Sequence, residues 1–281
     1  MAMSGSARDS GTESPVGHLV RHWRRVRRLS QLALALEAAT TSRHLSFIES
    51  GRSQPSREMV LRLARVLDVP IRERNQLLLA AGYAPLYREA GLAGEESAAV
   101  RAALERILTV HEPYPAVVMD RHWNVLKAND AADLFFGWLL GDGDAGQPAN
   151  VIRLMFDPDG IRPFVQNWEA AANALVQRVH REAVAGIPDP ETVALLQEAL
   201  AYPGVPAQWR QPDFARTPLP VVPVDFSKDG LALSYFSTVT TLGTPQDAML
   251  QEIRLESFFP ADQTTAAHHW EHRPVGIGNR S

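Results

Sequence analysis

A chain of 281 residues fits two domains at about 150 residues each, and its 45% apolar and 21% charged residues are ordinary globular composition. It contains no cysteine, which excludes disulfide scaffolds, thiolate zinc sites, iron–sulfur clusters and cysteine nucleophiles. No apolar run approaches the roughly 20 residues that span a bilayer, and the first residues lack the apolar core of a signal peptide, so a soluble cytoplasmic protein is expected. The net charge of −4 hides a division along the chain. Residues 1–82 carry thirteen Arg, no Lys and seven acids, a net +6, while residues 83–281 carry −10. This asymmetry suggests one module for a polyanion and another for something else.

Residues 1–14 are small and polar without periodicity, and read as a disordered tail. From Pro15 to Gly82 the pattern is helical. Pro15 suits a first turn, and Val16, Leu19, Val20, Trp23 and Val26 recur at helical spacing opposite Arg21, Arg24, Arg25, Arg27 and Arg28. Ser30 caps a second short helix, with Leu32, Ala35 and Leu36 on its expected apolar stripe. Thr41 caps a third over residues 42–50, closed by Gly51. Ser56 caps a fourth, lined by Val60, Leu63, Ala64 and Leu67, and a fifth spans 71–81 and ends at Gly82. Five short helices make this a compact all-α domain, followed by a linker over 83–97.

Residues 98–109 look helical, and 115–128 are β-rich with a turn at Asp120-Arg121, which suggests a hairpin. An apolar helix over 130–140 is followed by a loop over 141–148. A long amphipathic helix is expected over 161–184, with Ile161, Phe164, Val165, Trp168, Leu175 and Val179 on one stripe, and another over 191–201. After an irregular, proline-rich connector over 203–220 come strands at 221–226, 231–241 and 251–259, with a turn at Lys228-Asp229-Gly230. This second domain, 98–272, reads as α+β, an antiparallel sheet with helices packed over one side. Residues 273–281 read as a second disordered tail.

The strongest functional signal is the stretch from Ser30 to Gly51. Two short helices joined by a tight turn leave the second free to enter a major groove. Leu45 and Ile48, three apart, would anchor that helix, while Ser42, Arg43, Ser46 and Phe47 point outward. There an Arg can donate a bidentate pair to guanine, and a small or apolar side chain can meet a thymine methyl. Thr41 leaves a helix N-terminus available for a phosphate. With Gln31 and Arg52 these complete the candidate DNA-binding set.

Residues 16–82 resemble the XRE, lambda-repressor-like helix-turn-helix family. The match is carried by Gly17, Arg21 and Arg24, then Gln31 and Ala35, then Leu45, Ser46, Ile48, Glu49 and Gly51, with Pro55 in the loop that follows. The resemblance implies that Gln31 contacts the DNA backbone and braces the recognition helix, and that Glu49 pairs with Arg24. Ala39 departs from the pattern, standing where many members have a turn glycine. It implies either a strained turn or one reached without positive φ. The extension ESGRSQPSREMVLRLARVLDVPIRERNQLLLAAGYAP, then NVIRLMFDPDGIRPFVQNWE and STVTTLGTPQDAMLQEIRLESFFPAD, resembles the MmyB-like regulators over nearly the whole chain. Those look like an XRE domain fused to a PAS-like ligand-binding domain.

A PAS-like fold implies a small apolar pocket between sheet and helices, with Phe135, Trp138, Met155, Phe156, Trp168 and Phe236 as candidate walls. Asn129 and Asn150 either orient a ligand's polar head or cap the helices that follow them. His268 and His272 have metal-ligand spacing on a helix, but no acidic third ligand stands out, so no metal site and no cofactor are assigned. No catalytic motif occurs, and no enzyme is expected. The expected function is a DNA-binding transcriptional regulator, acting as a homodimer on a near-palindromic operator and sensing a small hydrophobic, acyl-chain-like effector. The alternative is a protein–protein adaptor whose PAS-like half dimerises and binds no ligand.

Overall fold

The computed structural model describes residues 14–87, 92, 97–141, 149–184, 189–212, 221, 223–241, 250 and 252–272. The tails expected over 1–14 (all but Ser14) and 273–281, and the loop expected over 141–148 (all but Gly141), lie outside these. The described residues divide into two units, 14–87 and 92–272.

The first unit holds α1 (Pro15–Val26), α2 (Gln31–Glu37), α3 (Ser42–Glu49), α4 (Arg57–Val66) and α5 (Ile71–Ala80). Ser30, Thr41 and Ser56 each accept the amide of the third residue of the following helix, from Ala33, His44 and Met59, as N-caps do. All five helices end the same way. The residue after each C-cap takes positive φ: Arg28 (56°), Ala39 (48°), Gly51 (76°), Asp68 (45°) and Gly82 (77°). The next amide then reaches back to the last turn, as Thr40 does to the Ala35 carbonyl at 2.9 Å. Ala39 therefore takes the strained alternative, since a Cβ in the left-handed region meets its own carbonyl.

Val16, Val20, Trp23, Leu34, Ala35, Leu45, Ile48, Leu63 and Leu78 are among the residues that form one buried core. On α2 the core face is Leu34, Ala35 and Ala38, while Leu32 and Leu36 are 61% and 72% exposed. Of the stripe expected through Leu32, Ala35 and Leu36, only Ala35 faces the core, because Leu and Ala recur at helical spacing in two phases on so short a helix. The segment after α5 is also part of this unit as far as Tyr87. The Asn75 amide donates to the Tyr87 carbonyl at 2.7 Å and accepts from the Leu86 and Tyr87 amides. Tyr83 donates to the Pro55 carbonyl.

The second unit has a five-stranded sheet in the order β2-β1-β5-β4-β3, every neighbouring pair antiparallel. Its strands are β1 (Ala116–Met119), β2 (Val125–Ala128), β3 (Pro223–Lys228), β4 (Leu231–Thr241) and β5 (Arg254–Pro260). Asp229 and Gly230 both have positive φ, the geometry of a two-residue hairpin turn whose twist suits the strands β3 and β4. Among the described residues six helices accompany the sheet: α6 (Ala98–His111), α7 (Asp130–Leu140), α8 (Val151–Phe156), α9 (Trp168–Val184), α10 (Pro190–Ala201) and α11 (Gln263–Glu271). The helix expected from residue 161 starts at Trp168, with a 3-10 turn over Arg162–Phe164. Pro163 lacks the N–H that a helix interior needs, which fits this break.

At β1 the sheet is covered on both faces, where cover on one side was expected. Val117 and Met119 point into a large core shared with α7 to α10, while Ala116 and Val118 point into a smaller one with Leu104 and Leu108 of α6. Strand β1 is accordingly buried at all four positions. A strand of unbroken apolar character is what two covered faces require.

Candidate nucleic-acid interface and effector site

Helix α3 is held from behind by one buried carboxylate. Glu49, 2% exposed, accepts two parallel bonds from the Arg24 guanidinium, Nε to Oε1 at 2.6 Å and Nη2 to Oε2 at 2.9 Å. The amide of Gln31, at the start of α2, donates to the same Oε2 at 2.9 Å, and Arg21 donates to the Glu49 carbonyl at 2.7 Å. Burial alone would raise the Glu49 pKa. The Arg24 and Gln31 hydrogen bonds and the charges of Arg24 and Arg21 outweigh it and hold the carboxyl below its ordinary 4.5. The clamp therefore joins α1, α2 and α3 through charge-assisted bonds. Gly17 closes the same joint, since a Cβ there would stand 2.4 Å from the Ile48 carbonyl oxygen.

The outward side of α3 presents the candidate DNA residues. Thr41, Ser42, Arg43 and Arg52 are exposed, and Ser46, Phe47 and Gln31 half-buried. Leu45 and Ile48 are fully buried anchors. Gln31 turns its amide to α3, the bracing part of what the resemblance implies. Arg27 is exposed, and it also donates to the carbonyls of Leu67 and Asp68.

In the second unit five of the six candidate wall residues meet one core. Phe135, Met155 and Phe156 are buried in it, and Trp138 and Trp168 pack against it half-buried. Phe156, Trp168 and Trp209 form a ring cluster with centroids 5.5–6.4 Å apart. Phe236 is not among them. It lies on the opposite face of β4 from Leu233 and Tyr235 and stacks on Phe259 at 5.3 Å, because successive strand residues alternate faces. Asn129 and Asn150 are caps. Asn129 accepts from the Ala132 and Ala116 amides and donates to the Tyr114 carbonyl. Asn150 accepts from the Ile152 and Arg153 amides and donates to the His122 carbonyl and to Asn124.

A polar cluster beside this core escaped the sequence reading. Trp123, 1% exposed with φ +67°, is flanked by the guanidinium groups of Arg178 at 5.0 Å and Arg254 at 4.8 Å. Glu182 links all three, accepting from Arg178 at 3.2 Å and Trp123 at 3.3 Å and pairing with Arg254 at 3.1 Å. Burial pulls the Arg254 pKa below its ordinary value, and its Nη1 is a buried donor without a hydrogen-bond partner among the described residues. The available signal was parity: Arg254 shares a strand face with Phe258, an odd place for a cation. On α11, the rings of His268 and His272 stack at 4.3 Å. His269 turns inward, its Nε2 2.6 Å from the Tyr235 hydroxyl. Among the described residues no group of three His, Asp or Glu side chains has metal-ligand geometry.

A family model for the MmyB-like transcription regulator ligand binding domain matches residues 100–269, and one for a helix-turn-helix domain matches residues 15–77. The chain belongs to the MmyB-like regulators. It is a transcription regulator with a DNA-binding helix-turn-helix and a ligand-binding domain, and both matched families are regulatory rather than enzymatic. No curated relative matches this MmyB-like chain. A solved structure described as an RNA-binding Light-Oxygen-Voltage receptor is 13% identical, covering 95% of this chain and 66% of that one at a TM-score of 0.26. A likeness that low carries no argument. Among the described residues no helix of the MmyB-like chain is long and apolar enough to cross a membrane.

Proposed function

We propose that this regulator binds duplex DNA sequence-specifically through Gln31, Thr41, Ser42, Arg43, Ser46, Phe47 and Arg52, as a homodimer on a near-palindromic operator. The observation that supports it most is the Glu49 clamp, which braces α3 from the protein side and leaves Ser42 and Arg43 exposed. One recognition helix reads only a few base pairs, and twofold pairing doubles that readout. The effector is small and largely hydrophobic, held near Phe135, Trp138, Met155, Phe156 and Trp168, and it acts by binding two arrangements of the dimer unequally. Titration of genomic fragments at several salt concentrations tests the DNA reading. Affinity falls with a log–log slope of about −0.9 per phosphate contacted, and Arg43→Ala costs about 1–3 kcal/mol at a preferred site. Salt-independent binding, or equal affinity for every fragment, refutes it.

One observation favours the adaptor alternative. Leu32 and Leu36 stand one turn apart on the solvent face of α2, apolar surface of the kind that a protein partner covers. Leu32→Glu with Leu36→Glu separates the readings: a regulator keeps its DNA affinity, and an adaptor keeps no partner.

A further inference from the structure

We infer that Phe47 is a platform that holds the Arg43 guanidinium in its base-reading orientation, rather than a side chain that touches a base. This rests on α3 being the recognition helix. Arg43 and Phe47 stand four residues apart, so they share one helix face. The Arg43 guanidinium carbon lies 5.4 Å from the Phe47 ring centroid, within the roughly 6 Å reach of a cation–π contact. Arg43 is exposed and Phe47 half-buried, so the ring is the anchored partner and the charge the presented one.

The backbone after Phe47 is held by several hydrogen bonds. Its carbonyl accepts the amides of Arg52 at 2.8 Å and Ser53 at 3.1 Å, and the Ser50 hydroxyl at 3.3 Å. Two residues further on, Glu49 is locked to Arg24. A guanidinium held over a ring by cation–π attraction spends none of its N–H donors on a hydrogen bond. The fork that matches guanine O6 and N7 stays open. The stacking removes rotamer freedom that an isolated exposed Arg would lose on binding. An apolar ring at this place would otherwise suit a thymine methyl, but here Arg43 sits against its face.

The test uses the full chain in selection from a randomised duplex library, followed by titration of single-base variants of the selected site. Arg43→Ala flattens the preference at one base pair. Phe47→Leu weakens that same preference about 2- to 5-fold and leaves the other positions unchanged, Phe47→Trp retains it, and the Arg43→Ala/Phe47→Leu double variant loses nothing beyond Arg43→Ala at that position. Thermal melting of each variant confirms that it is folded. A Phe47→Leu effect at a different base pair would mean that Phe47 reads a base itself. Equal weakening at every position, or no effect at all, overturns the inference as well. A wild-type chain that selects no site refutes the recognition reading beneath it, a result distinct from these.

Discussion

Ala39 shows how one side chain sets a local energy. Its φ of +48° costs an L residue about 1–2 kcal/mol, whereas glycine pays only its greater unfolded-state freedom, about 0.5–1 kcal/mol. Ala39→Gly therefore stabilises the helix-turn-helix unit by about 0.5–1 kcal/mol, read as a higher denaturant midpoint with an unchanged slope. Arg28 and Asp68 sit in the same conformation at the ends of α1 and α4. Three of five helix ends thus forgo the glycine that their geometry favours.

At the level of elements, the joint between α1 and α3 leaves no room for another atom. Gly17→Ala puts a Cβ against the Ile48 and Glu49 carbonyls, and α1 must back away from α3. The expected cost is about 1–3 kcal/mol, with weaker DNA binding at temperatures where the variant is still folded; an unchanged midpoint contradicts this. The five helices here were legible because each carries its own punctuation: Ser30, Thr41 and Ser56 at the starts, Gly51 and Gly82 at two ends. What the sequence did not show has physical causes. The phase of α2 is ambiguous because its apolar residues fill two faces. Helix α8, six residues long, is too short for a period to register, and the start of α9 was read through Pro163. Helix α11 hides behind its histidines, of which the buried His269 is the structural one. Phe135, Trp138, Met155, Phe156 and Trp168 share one core because large apolar side chains usually go inside. Phe236 lies apart from them because size says nothing about which face of a strand a residue occupies.

For the whole molecule, acid acts on the two units in different pH ranges. In the second, burial first, and then the charges of His268 and His272, lower the His269 pKa from 6.5 to about 4. Tyr235 and Tyr114 face it from β4 and the segment before β1. The unfolded chain takes up this proton more readily, so the stability that neutral His269 contributes is complete above pH 6.5 and lost as pH falls toward 4. Glu49 is held below its ordinary 4.5, so its contribution to the first unit is complete above that value and lost only as pH falls further. Spectroscopically monitored acid titration should show the second unit softening first, and His269→Gln should flatten the change between pH 6.5 and 4. An unaltered titration in that variant contradicts the assignment.

Strand β1 carries a consequence for how the chain can vary. Ala116 and Val118 serve one core and Val117 and Met119 the other. Strand β4 alternates instead, its Leu233 and Tyr235 enclosed while Ala232 and Thr238 meet solvent. A map of every single substitution would therefore show β1 as four successive intolerant sites and β4 as a striped pattern. The strand that looks least distinctive in the sequence has the least freedom to drift.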